Sequence, residues 1–179
     1  MSAAEDAYRA AEAAIAEAAR SNDTTLTLGS TKLGTERSPL QSIPPSIANL
    51  SNLQDLYLTG TQVTDLSPLQ GLNGLKQVRL GGTQVADLSP LQGLTNLQTL
   101  TLIGTQVTDL TPLRGLDKLR LLDLAEMQVT DLTPLQGLDE LFMLDLDVTE
   151  VTDITPLQDL TKDIRIDNCY ASGGRGLIV

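Results

Sequence analysis

The stretch LQTLTLIGTQVTDLTPLRGLDK, Leu97 to Lys118, decides the fold, because the chain writes it several times over. Pro68, Pro90, Pro112, Pro134 and Pro156 fall 22 residues apart. The same interval separates Asp65, Asp87, Asp109, Asp131 and Asp153, and again Val63, Val85, Val107, Val129 and Val151. Self-similarity at a period of this size marks a solenoid, in which one small packing unit is copied and stacked.

Each letter of the unit has a physical reading. In Leu100-Thr101-Leu102 the period is 2, so Leu100 and Leu102 point inward while Thr99, Thr101 and Ile103 point out. Adjacent copies then pair as parallel strands, and the rest of each unit carries the chain back. Thr61, Thr83, Thr105 and Thr149 form a column where the chain turns away from the sheet, and a hydroxyl there bonds to buried backbone groups. Met127 takes that place in one copy and predicts a local irregularity. Ser67-Pro68 and Thr111-Pro112 read as a helix N-cap followed by proline at the first helical position. That gives one helical or 3₁₀ turn on the convex side, ended by Gly71, Gly93, Gly115 or Gly137. The five repeated aspartates read as local turn caps rather than calcium ligands.

The positions Leu53, Leu56, Leu58, Thr61 and Val63 match the pattern LxxLxLxxN/CxL with threonine at its asparagine. Over roughly residues 24–169 the chain resembles the 22-residue leucine-rich repeats of bacterial internalins and of the phosphatase-regulator type. Ile43 to Leu53 resembles the IPPxIxxLxxL repeats of plant and Roco-type proteins. The resemblance implies an α/β solenoid: a right-handed coil with a parallel concave β-sheet and short helical or 3₁₀ turns on the convex side. It also implies protein partners held on the concave face.

The ends depart from the period. Residues 1–23 read as a capping helix, with Ser2 and Glu5 as a capping box and Tyr8, Ala11, Ile15 and Ala18 on one face. The solenoid is assigned to 24–169: an irregular first repeat over 24–52, regular repeats over 53–162, and a shortened last strand over 163–169. Thirty residues separate Leu26 from Leu56, which places an insertion of about eight near Gly34 to Ser38. At the other end Ile164, Ile166 and Cys169 are expected in the places of Leu144, Leu146 and Thr149, an offset of 20. Residues 170–179 read as a tail or linker.

Composition narrows the function. The chain has 179 residues, 12 basic against 23 acidic, a net charge of −11, and only four aromatic residues, Tyr8, Tyr57, Phe142 and Tyr170. A basic surface able to release counterions is missing, which argues against nucleic acid and against anionic membranes. With no histidine, the commonest general base and metal ligand is gone. No phosphate loop, metal-binding spacing or nucleophile elbow stands in its place. No catalytic residue, cofactor or metal is assigned, and the chain is read as a non-enzyme. A single cysteine, Cys169, rules out an internal disulfide, and the N-terminus lacks the pattern of a cleaved signal peptide. The expected location is cytoplasmic, or outside the cell by a route without a cleaved signal.

The outward columns of the sheet are free of packing duty and vary from copy to copy. They yield a candidate partner-binding set: Tyr57, Lys76, Arg79, Ile103, Arg120, Leu121, Asp123, Phe142, Met143, Asp145, Asp147 and Arg165. Early copies carry Lys76 and Arg79, middle copies Ile103 and Leu121, and later ones gather aspartates beside Phe142 and Met143. Two of the four aromatics fall on this face, and aromatics are favoured anchors in interfaces. The set points to a protein partner, one with a basic patch. Two other readings are a recognition arm for a catalytic or GTPase-type domain outside this chain, and self-association through the C-terminal edge.

Overall fold

The structure, a computed structural model, describes residues 2–29, 38–158, 160, 165–167 and 177–178. Period-2 alternation produces short strands, three residues each: β1 Thr25–Thr27, β2 Asp55–Tyr57, β3 Gln77–Arg79, β4 Thr99–Thr101, β5 Leu121–Asp123, β6 Met143–Asp145 and β7 Arg165–Asp167. They lie side by side in sequence order, all parallel. One buried row runs through the stack, Leu26, Leu56, Val78, Leu100, Leu122, Leu144 and Ile166. From Leu56 onward its members are 22 residues apart, and Leu26 precedes Leu56 by 30. A second row, Leu58, Leu80, Leu102, Leu124 and Leu146, is buried beside it. The core is an aliphatic column rather than a globule's mixed interior.

The return half of each coil carries one 3₁₀ turn: Ser67–Leu69, Ser89–Leu91, Thr111–Leu113, Thr133–Leu135 and Thr155–Leu157. The capping differs from the sequence expectation. Ser67 and its equivalents are not N-caps but the first residues of the turn, behind a leucine or isoleucine that makes no side-chain cap. The capping group is the aspartate two residues before. Asp65, Asp87, Asp109, Asp131 and Asp153 each accept the N–H of the Ser or Thr at 2.8 Å through Oδ1. An aspartate reaches an N–H two residues on without entering the turn, which leaves the Ser/Thr-Pro pair free to start it. At the far end Gly71 holds φ +81, a left-handed conformation that a side chain would strain.

The N-terminal cap is helix α1, Ala3–Ser21, with the expected reciprocal box between Ser2 and Glu5. Ala11, Ile15 and Ala18 are buried and Tyr8 is partly buried against the core. Asn22 ends the helix in a left-handed conformation, φ 56. Asn52 Nδ2 then donates to the Asn22 carbonyl at 3.0 Å, tying the cap to the first coil. The IPPSI segment forms a longer 3₁₀ turn, Pro45–Asn49, whose Ile47 is fully buried. The expected insertion falls mostly on residues 30–37, outside the described residues; the chain is back on the sheet edge at Ser38, whose N–H donates to Gly60 O at 3.1 Å.

The last coil corrects the expected register. Ile166 pairs with Leu144, Arg165 with Met143 and Asp167 with Asp145, an offset of 22 and not 20. A slip of two residues keeps every side chain on the same face, so alternation cannot choose between these registers. Cys169, expected in the turn column, lies outside the described residues. Leu177–Ile178, within the stretch expected as a tail or linker, forms strand β8 and pairs antiparallel with β7.

The buried row supports a direct test. Leu100 is fully buried between Val78 and Leu122. Leu100→Ala should lower unfolding free energy by about 2–5 kcal/mol in urea titration, as expected for an unfilled cavity. A loss well under about 1 kcal/mol would mean that the row does not hold the coils together.

Candidate functional site

Outward side chains of β2 to β7 line one face of the sheet, and the register decides which of them meet. One column reads Tyr57, Arg79, Thr101, Asp123, Asp145; the other reads Asp55, Gln77, Thr99, Leu121, Met143, Arg165. Arg165 therefore stands beside Met143 rather than beside Asp145, where the sequence reading placed it. Parallel neighbours lie about 4.8 Å apart, so Lys76 and Arg79 are separated from Asp145 by roughly 15 Å of sheet.

At the basic end the side chains are occupied with each other. The Arg79 guanidinium sits over the Tyr57 ring, 5.3 Å from its centroid. The Gln77 amide, in the orientation its surroundings require, accepts from Arg79 Nε at 2.6 Å and Nη2 at 2.8 Å. Arg79 is thus a rigid, half-buried cation, whereas Lys76 is exposed. In the middle, Ile103 and Leu121 are half-buried. The column that holds Ile103 and Asp147, with Thr59, Gly81 and Ala125 in the other coils, is largely covered, with Thr59 and Ala125 at 5% and 4% exposure.

The acidic end is built around Asp123 and Asp145, paired in register on β5 and β6. Both also have a structural task that the sequence did not show. Asp123 Oδ1 accepts the Ala125 N–H at 3.1 Å, and Asp145 Oδ1 accepts the Asp147 N–H at 2.9 Å. Burial pushes the Asp123 carboxyl above the usual aspartate range; the Ala125 N–H opposes this, and Asp145, Glu126 and Asp147 reinforce it by repulsion. Phe142 stands at the margin with 46% of its surface exposed, next to half-buried Met143. Arg120, a member of the expected contact set, is engaged by Glu140 at 3.4 Å. The sequence reading omitted both Glu140 and Glu126; their only signal was like or opposite charge in neighbouring copies. Among the described residues no group of three or more acidic, histidine or cysteine side chains is arranged to hold a metal ion, and no helix is long and apolar enough to cross a membrane.

The two classes of aspartate act oppositely on stability. Hydrogen bonds from Ser67, Ser89, Thr111, Thr133 and Thr155 hold the five turn-capping carboxyls below their ordinary value of 3.8. Their contribution is complete above about 4 and disappears as pH falls through the lowered folded values. The urea midpoint should therefore drop on acidification below pH 4, and Asp109→Asn should lessen the drop. Asp123, raised in the fold, favours folding while protonated and loses that contribution as pH rises through its folded value. Asp123→Asn keeps the acceptor for Ala125 and removes the charge, so its melting temperature at pH 7 should exceed that of the parent chain. A lower value would show that the carboxylate stabilises its turn more than repulsion and burial oppose it.

The family model for leucine-rich repeats, described as two copies, matches residues 73–115. A comparison with curated protein sequences returned no match. Among solved structures, an internalin (inlF) from Listeria monocytogenes is similar over 92% of this chain and 55% of its own, with 28% identity and a TM-score of 0.70. Internalin C2 from the same organism is similar over 90% of this chain and 92% of its own, with 25% identity and a TM-score of 0.50. The chain spans 55% of the length of the first of these structures. With seven parallel strands, a 22-residue coil and one 3₁₀ turn per return, the chain has the leucine-rich-repeat solenoid fold, and its repeats are similar to those of bacterial internalins.

Proposed function

We propose that this protein is an interaction module that holds a protein partner on the open face of its sheet, with the acidic end as the principal contact. A leucine-rich-repeat fold supports protein–protein interaction as its general role. The observation that carries the finer reading is Phe142. It is the one large aromatic ring exposed on the described surface of a chain that buries nearly all its aliphatic side chains. An exposed ring next to a flexible methionine is the kind of anchor that interfaces favour. The neighbouring Asp123 and Asp145 add a charge that favours a partner with a basic patch and speeds its approach. Lys76 and Tyr57-stacked Arg79, some coils away, fix which way round such a partner lies.

Capture of the partner from cells that make the protein, followed by titration calorimetry, tests this reading. Phe142→Ala should weaken binding by on the order of tenfold or more, the cost of losing an aromatic anchor. Asp145→Asn preserves the acceptor for Asp147 and should slow association while flattening its salt dependence. Melting temperatures should stay within a few degrees of the parent in both variants. Unchanged affinity in both would remove the acidic end from the contact surface.

A further inference from the structure

One turn column of the solenoid suits glycine, and one coil fills it with valine. Two residues past the second buried leucine of each coil the backbone is left-handed five times over: Gly60 at φ 73, Gly82 at 69, Gly104 at 66, Glu126 at 58 and Val148 at 58. The coil imposes this conformation. In the first four cases the N–H at this place is tied to a carbonyl of the next coil, that of Gly81, Ile103, Ala125 and Asp147 in turn. Glycine adopts it freely, having no Cβ to crowd the carbonyl. A β-branched side chain suits it least, and among the described residues Val148 is the one β-branched residue with a positive φ.

Packing does not offset this strain. Val63, Val85, Val107 and Val129 are fully buried, whereas Val148 is 52% exposed. Bracing of the turn is thinner as well. The N–H that follows the threonine column reaches the preceding coil at Gln62, Gln84 and Gln106, and among the described residues it does so at neither Gln128 nor Glu150. A strained residue that the fold leaves in water points to a task outside the fold. Its position says which. Val148 and Phe142 are the exposed large apolar side chains of the described surface, and both belong to the coil of β6. They stand at the two ends of the outward row Met143, Asp145 and Asp147, at most about 20 Å apart along an extended chain.

We propose that Val148 is a second apolar anchor of the contact surface, and that a basic segment of the protein partner lies along the β6 coil, with an aliphatic side chain on Val148 and its cations over Asp145 and Asp147. This rests on the interaction reading above and adds to it a residue, a line of contact and a class of sequence: apolar residues at both ends, lysine or arginine between. Only the line along the coil joins two apolar anchors. Across the coils the column of Val148 continues into Glu126 and Gly104, which offer none. Charge selects the occupant. Asp123 lies in register beside Asp145 and adds to the row, so a cationic segment is drawn in while a second copy of this chain, at net charge −11, is repelled.

The test reads stability and binding together in Val148→Gly, which restores the residue of the earlier coils, and in Val148→Asn, a polar residue that tolerates the left-handed backbone. Melting temperatures should rise or stay within about 2 °C of the parent, because released strain offsets the little packing that is lost. For binding, peptides are selected from a random-peptide phage library on the full chain, synthesised, and titrated by calorimetry. They should carry lysine or arginine between apolar residues, lose affinity about fivefold or more in both Val148 variants, and keep it in Val148→Ile. Loss confined to the Val148 variants keeps Val148 as an anchor and removes Phe142; loss confined to Phe142→Ala does the reverse and overturns the proposal. Undiminished binding in both Val148 variants, a library that yields no basic peptide, or a larger fall in melting temperature, the mark of a residue that packs for the fold, overturns it too.

Discussion

Everything in this molecule follows from a fixed coil length. Parallel pairing at 22 residues sets Leu56, Val78, Leu100, Leu122, Leu144 and Ile166 in one buried line. No coil can close this line by itself, because each leucine is covered by the coils before and after it. The first coil has no predecessor, and α1 supplies the missing cover with Ala11, Ile15 and Ala18. At the other end β7 is paired by β8, so its edge groups do not stand open along their whole length. Stability is therefore a property of neighbours, and a change of coil length would displace every residue downstream from its partner.

The sequence displayed this constraint openly. Five copies in register located the strands, the convex turns and the N-terminal cap, since each depends on which residue types recur. What it displayed less well depends on geometry within a fixed pattern. The Ser/Thr-Pro pair looks like a cap because both residues favour helix starts, but Asp65 and its equivalents reach the first N–H from outside the turn and displace it. The last register was misplaced by two residues because period-2 alternation is blind to an even slip. Met127 was legible as an irregularity, since one letter in a repeated column changed its chemistry, and among the described residues the turn-closing bond that Thr105 N–H donates to Leu102 O has no counterpart there.

The candidate face was legible as a face and only partly as a set of free groups. Outward position follows from alternation, whereas partnership depends on distances between coils. Arg120 read as an available cation and is held by Glu140; Arg79 read likewise and lies on Tyr57. Thr59 and Ala125 stand in the same outward column as Ile103 and are buried. Phe142 keeps both its position and its exposure.

The acidic composition divides along the same line. Five aspartates are consumed in capping convex turns, and their lowered pKa values show that the fold favours their charge. Asp123 is the contrary case: the register stacks it beside Asp145, burial removes water from it, and the fold disfavours its charge. A repeat architecture places equivalent positions next to each other whether or not their charges agree, so an aspartate copied from one coil to the next creates repulsion at about 4.8 Å spacing. Such a column is tolerated because the leucine rows beneath it supply the stability. On the proposed reading, a cation brought by a partner would relieve this unfavourable interaction, so that a feature weakening the free chain would strengthen a complex.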